Sequence, residues 1–186
     1  MPTLLSHTPL LLDASCVTSL YASGQMGPIL SAYAAPIGVV NVLHPREMLY
    51  IWGGPDQDVR RHKIAVNLWS LIAAGALVEF PFKDVDVEMA VNLAAQGFDN
   101  SECVTVAVAY RLGWGVGIDD IPAWRRIAAL LPQVSLVSTS QLLKYWVDTQ
   151  CIVINDARAV LQSMRRRGGY RFSKYDGLAD WLQRLI

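Results

Sequence analysis

Short apolar runs that end at acidic residues or glycine alternate along this chain with longer segments whose apolar residues recur at helical spacing. The run 10–12, three leucines between Pro9 and Asp13, is too short for a helix and predicts the buried first strand of a parallel sheet, with Asp13 at its carboxyl end. Residues 15–30 predict a helix interrupted near Gly24 and Gly27, the valine-rich stretch 37–43 a second strand, and Pro45 the opening of a short helix. The chain turns around Gly53, Gly54 and Pro55. Residues 57–74 then carry Ile64, Leu68, Leu71 and Ile72 at helical spacing, which predicts a helix with Gly75 as its C-cap.

Residues 77–82 predict a strand that Pro81 confines to a sheet edge, and 85–96 a helix stopped by Gly97. Asp99, Asn100 and Ser101 are N-cap types ahead of a helix over 102–112, which Gly113 ends. A short strand at 115–118 leads into Asp119 and Asp120, and Pro122 opens a helix that Pro132 closes. Residues 134–137 predict the last strand, with helices following from about Ser140, Asp156 and Lys174. Strands alternating with helices predict an α/β three-layer sandwich around a central, mostly parallel sheet. No repeat or linker divides it, so residues 1–186 read as a single domain.

Composition sharpens this in a few respects. With 53% hydrophobic and 17% charged residues the chain can bury a sizeable core. Its formal charge of zero removes any global attraction for polyanions, so nucleic-acid contact would have to be local. Basic residues cluster at Arg60, Arg61, His62 and Lys63, at Arg125 and Arg126, and at Arg165, Arg166 and Arg167, runs that more often form solvated faces than phosphate sites. Cys16, Cys103 and Cys151 share no CxxC spacing, which fits a reduced, cytoplasmic setting. No export signal or membrane span is expected. The histidines His7, His44 and His62 stand in no ligand spacing, and Cys16 reads as a small core residue. Gly113, Gly115 and Gly117 do not complete a dinucleotide fingerprint. The tryptophans are scattered, which favours packing or a protein interface over base stacking.

The acids carry the chemistry. In open α/β sheets ligands gather at the carboxyl ends of the strands, where Asp13, Asp119 and Asp120 are expected, while Glu102 opens the helix that leads into the strand before the aspartate pair. Converging carboxylates suit a hard divalent cation. Each has an ordinary alternative: Asp120 could cap the helix at Pro122, and Glu102 complements a helix dipole. Asp13 is harder to dismiss, because a carboxylate at the end of a buried strand is costly without a partner. A receiver-like phosphoacceptor would place its acidic pair early, whereas here the pair comes late.

The run Leu11 Leu12 Asp13 Ala14 Ser15 resembles the opening motif of PIN domains. The stretch from Asp99 Asn100 Ser101 Glu102 through Leu112 Gly113 to Asp119 Asp120 and Arg125 Arg126 Ile127 Ala128 is similar to a bacterial PIN-like branch related to toxin ribonucleases. The likeness continues loosely over 134–143 and the segment Gly168 to Ser173. It implies metal-dependent cleavage of single-stranded RNA with Mg2+ or Mn2+ held by Asp13, Glu102 and one or both of Asp119 and Asp120, and Ser15 supporting Asp13. It also implies an antitoxin or other protein partner, or a homodimer. Two departures stand out: the acid usual in the short helix after the second strand falls near Tyr50 or Ile51, with Glu47 one turn earlier, and Ser101 replaces a common glycine. The missing acid favours an alternative, a PIN-like protein that has lost catalysis and acts as an interaction module.

Overall fold

The structure, a computed structural model, describes residues 8–41, 49–53, 62–173 and 176–186. Strand β1 (Leu10–Leu12) lies at the centre of a five-stranded, all-parallel sheet, beside β2 (Ile37–Val40) on one side and β6 (Gly115–Gly117) on the other. β5 (Val78–Phe80) and β7 (Leu136–Val137) form the two edges, and the full order is β5-β2-β1-β6-β7. Alternate side chains of a strand point to opposite faces. Accordingly Leu10 and Leu12 join one apolar core and Leu11 the other, and all three are fully buried.

The Leu10 and Leu12 face is covered by α1 (Ala14–Ala22), α2 (Met26–Ala32), α7 (Thr139–Thr149) and α8 (Ile154–Arg167), with Leu182 of the short α9 (Ala179–Arg184) added to it. The opposite face is covered by α4 (Asp84–Ala95), α5 (Asn100–Leu112) and α6 (Ile121–Leu130). The expected three-layer architecture is therefore present. The edge position of β5, directly before Pro81, also matches. Among the described residues, no helix is long and apolar enough to cross a membrane.

One region differs from the sequence reading. The helix expected over 57–74 is not what the described residues 62–74 form: β4 (His62–Ala65) pairs antiparallel with β3 (Tyr50–Gly53) as a separate two-stranded sheet, and of these residues only those of α3 (Trp69–Ala73) are helical, while 57–61 lie outside the described residues. The spacing of Ile64, Leu68, Leu71 and Ile72 suits a helix, but a short apolar pattern does not exclude a strand. Here Ile64 pairs with Ile51, Lys63 lies 3.9 Å from the centre of the Tyr50 ring, and Asn67 accepts the Trp69 N–H to start the helix late. Gly27 lies inside α2, so the break between α1 and α2 falls at Gly24 alone, where φ is +72°. The expected helix at Pro45, Glu47, the ends of the expected strand at 42–43 and of the Gly54 and Pro55 turn, and Arg60, Arg61, His7, His44 and Lys174 lie outside the described residues.

The sheet is packed closely around β2. A Cβ on Gly38 would stand 2.8 Å from the Val78 carbonyl oxygen and 2.9 Å from the Phe80 ring. The carbonyl cannot move without disturbing the ladder, so Gly38→Ala is expected to cost about 1–3 kcal/mol, read as a lower urea midpoint with an unchanged slope.

Candidate functional site

The chain runs outward from β1 through β2 to β5 and then returns to the other side of β1 as β6 and β7. The order therefore reverses between β1 and β6, and the crevice at the carboxyl ends of these two strands is where such sheets bind ligands. Asp13 ends one of them and Asp119 follows the other.

Asp13 is fixed from two directions. Its N–H donates to the Gly117 carbonyl at 2.9 Å, which extends the sheet ladder, and it is the N-cap of α1. Its Oδ2 accepts from the Ser15 hydroxyl at 2.9 Å and from the Ser15 N–H at 3.3 Å, as the sequence suggests for Ser15. Its Oδ1 is buried and has no hydrogen-bond partner among the described residues. Burial raises the Asp13 pKa, and Ser15, followed by the Ala14 N–H and the Ser101 hydroxyl, only partly opposes that rise.

Glu102 sits in the first turn of α5 as part of a capping box. Asp99 Oδ1 accepts the Glu102 N–H at 2.8 Å, and Glu102 Oε2 accepts the Asp99 N–H at 3.0 Å. The Ser101 hydroxyl donates to Asp99 at 2.9 Å. Glu102 is 6% exposed, and its pKa is raised by burial and then by the charges of Asp99, Asp13 and Asp120, against the bond from Asp99 N–H.

The two adjacent aspartates take different parts. Asp119 turns toward α7, where its Oδ1 accepts the Thr139 N–H at 2.8 Å and its Oδ2 the Thr139 hydroxyl at 2.7 Å. Burial raises its pKa, Thr139 lowers it, and Asp13 raises it further. Asp120 is exposed and N-caps α6, accepting the Ala123 N–H at 2.7 Å, which is the capping role available to it from sequence.

Residues that sequence reasoning left aside complete the crevice. Thr139 is fully buried and its hydroxyl also lies 3.2 Å from Cys16 Sγ. Ser138 and Ser140 share a 2.6 Å hydroxyl pair, and Ser140 donates to Asp176 Oδ2 at 2.7 Å. A run of three hydroxyl residues directly after the last strand was the available signal. Asp176 arrives from far along the chain and had none. Tyr50 and Ile51 belong to β3, and Ile51 is buried in the apolar core.

The charge of Asp13 is felt by both Glu102 and Asp119, yet the acids do not close on a common point. Among the described residues, no group of three or more His, Cys, Asp or Glu side chains could hold a metal ion as placed. The donor chemistry nonetheless suits a hard cation, since it is all oxygen and includes one orphaned buried carboxylate atom, Asp13 Oδ1. Magnesium in particular keeps several waters and needs only one or two carboxylates directly. Compared with family models, curated proteins and solved structures, the chain finds no match in any of the three.

The raised pKa values carry a definite sign. Asp13, Glu102 and Asp119 have folded values above the ordinary 3.8 and 4.5, so their contribution to stability is present at low pH and is lost as pH rises through the folded values. In chelator, the melting temperature of the native protein relative to Asp13→Asn is expected to fall as pH is raised from about 4 toward 7. A relative melting temperature that rises over that interval would contradict the burial argument.

Proposed function

We propose that the protein is a PIN-like, metal-dependent nuclease that cuts single-stranded RNA. The observation that supports this reading is the buried Oδ1 of Asp13 at the switch point of the sheet, without a hydrogen bond among the described residues, in a side chain whose charge raises the proton affinity of both Glu102 and Asp119. Such a centre is poorly balanced alone and well balanced around a cation. Asp13 would hold Mg2+ or Mn2+ directly, with Glu102 and Asp119 beside it. When bound, the ion would lower the pKa of a water and offset charge on the scissile phosphate.

The chain's own residues supply the rest. Ser15 holds Asp13 in one rotamer, Asp99 holds Glu102, and Thr139 holds both oxygens of Asp119, so the carboxylates are oriented before any ligand arrives. Asp120 adds negative charge at the rim while capping α6. A proteinaceous antitoxin as regulator, and a cytoplasmic setting, belong to the same proposal.

A second reading has its own support. Glu102 spends an oxygen on the Asp99 N–H and Asp119 spends both of its oxygens on Thr139, and no three acids stand ready as ligands among the described residues. That pattern suits a PIN-like module that binds a protein partner and does not cut. Incubation of labelled single-stranded RNA and DNA with the full chain, with Mg2+ or Mn2+ and with chelator, separates the two. Cutting that needs the metal supports the nuclease, and intact substrate under every condition supports the module.

A further inference from the structure

The crevice does not end at the carboxylates. On the far side of Asp119 it opens into a cleft of about 290 Å³, enclosed by the first turns of α6 and α7 and by residues 170–173 and 176–177. That volume lies near the lower limit of small-ligand pockets, enough for one flat ring and its sugar but not for a duplex. The lining joins aromatic, cationic and amide groups. Trp124 and Phe172 are half-buried aromatic surfaces, Arg171 is an exposed cation, and Gln141 presents a side-chain amide.

The hydrogen bonding of these groups indicates what can enter. Gln141 lines the cleft, and its Oε1 accepts the Ser138 N–H at 2.8 Å, which leaves its amide N–H groups without a hydrogen bond among the described residues. The Arg171 guanidinium has no hydrogen bond or ion pair among the described residues, although it stands at the cleft. Asp119 and Asp176 also line the cleft, and their negative charge disfavours a phosphate in its interior. A neutral ring can enter where an anion cannot, while a phosphate attached to it would remain at the mouth beside Arg171. Tyr170, 5% exposed, closes the back, and burial followed by the charges of Asp119 and Asp176 keeps its hydroxyl neutral.

We infer that this cleft seats one base of a single-stranded nucleic acid, stacked on Trp124 and Phe172 and read by Gln141, with its phosphate held by Arg171 beside the Asp13 centre. The inference rests on the nuclease reading. Stacking on an aromatic side chain tolerates any base and contributes substantially to single-strand affinity. The Gln141 donors add a preference for bases that present an acceptor to them. Because Asp119 belongs to both the cleft and the acidic crevice, the seated base fixes which neighbouring phosphodiester reaches Asp13.

The test measures binding separately from cutting. Fluorescence anisotropy of a short labelled single-stranded RNA is recorded in chelator for the native chain and for Trp124→Ala, Arg171→Ala and Asp13→Asn, and cleavage of the same RNA is followed with Mn2+. Trp124→Ala and Arg171→Ala are expected to weaken binding about tenfold, Trp124→Phe to restore most of it, and Asp13→Asn to bind at least as tightly as the native chain while losing cleavage. If both cleft variants bind like the native chain while Asp13→Asn still abolishes cutting, the base seat is wrong and the nuclease stands. If the native chain binds no single strand at all, the inference is overturned whatever the cutting assay shows. Arg171 is exposed, so its replacement decides the matter even where Trp124→Ala lowers the melting temperature.

Discussion

Asp13→Asn is expected to abolish cutting and, in the metal-free protein at neutral pH, to raise the melting temperature. Asparagine keeps an oxygen to accept from the Ser15 hydroxyl and N–H, so the N-cap of α1 survives. What disappears is a charge buried at the end of β1 with one oxygen unsatisfied, a cost of about 1–3 kcal/mol. Cutting should fall by more than about a hundredfold, because loss of a mere supporting partner of a metal ligand already costs about 10- to 100-fold. Thermal melts in chelator and a cleavage time course with Mn2+ check the two halves on one protein sample. A destabilised variant would show instead that the Asp13 charge is part of the scaffold. Residues that act on substrate are commonly kept at some expense to stability, and the opposite directions of the two changes would mark Asp13 as one.

Asp86→Ala should be the most damaging single change away from the crevice. Asp86 is 1% exposed and accepts from Arg111 Nε at 2.6 Å and Arg111 Nη2 at 3.2 Å, while Nη2 also donates to the Pro81 carbonyl. The same carboxylate accepts the Lys83 N–H at 2.8 Å, so one side chain ties the start of α4 to the end of α5 and to the exit of β5. Removing it leaves the guanidinium, largely shielded from water, without its counter-charge, which costs about 3–5 kcal/mol. At this chain length that corresponds to a melting temperature lower by about 10 °C. A shift within about 2 °C would show that the pair is solvated and contributes little.

The legibility of this fold follows from which signals were local. The strands at β1, β2 and β6 announce themselves because both faces of a central parallel strand are buried, so a run such as Leu10, Leu11 and Leu12 has no polar position to confuse it. The helices α4, α5 and α6 carry their own stops at Gly97, Gly113 and Pro132, and α5 and α6 their starts at Asp99 and Asp120. The β3–β4 pair was not readable, since its evidence lies in pairing across the chain, Ile51 opposite Ile64 and Trp52 opposite Lys63, while the local spacing imitates a helix.

The crevice divides along the same line. Asp13, Ser15, Glu102 and Asp119 stand beside strand ends or helix starts and could be placed from their neighbours alone. Sequence offered Asp120 the cap of α6, which it takes, but could not say that Asp119 turns the other way to Thr139. Thr139 is known by its 20-residue separation from Asp119, and Asp176 by its 36-residue separation from Ser140, distances at which spacing carries no information.

Whether Asp13 anchors a divalent metal at the switch point is tested most directly by electron paramagnetic resonance of Mn2+ titrated into the full chain at neutral pH. Native protein is expected to remove free Mn2+ from the spectrum up to a defined stoichiometry, with Asp13→Asn leaving the free signal intact. A native protein that leaves the Mn2+ spectrum unchanged, with and without single-stranded RNA present, would contradict the account and favour the non-catalytic module.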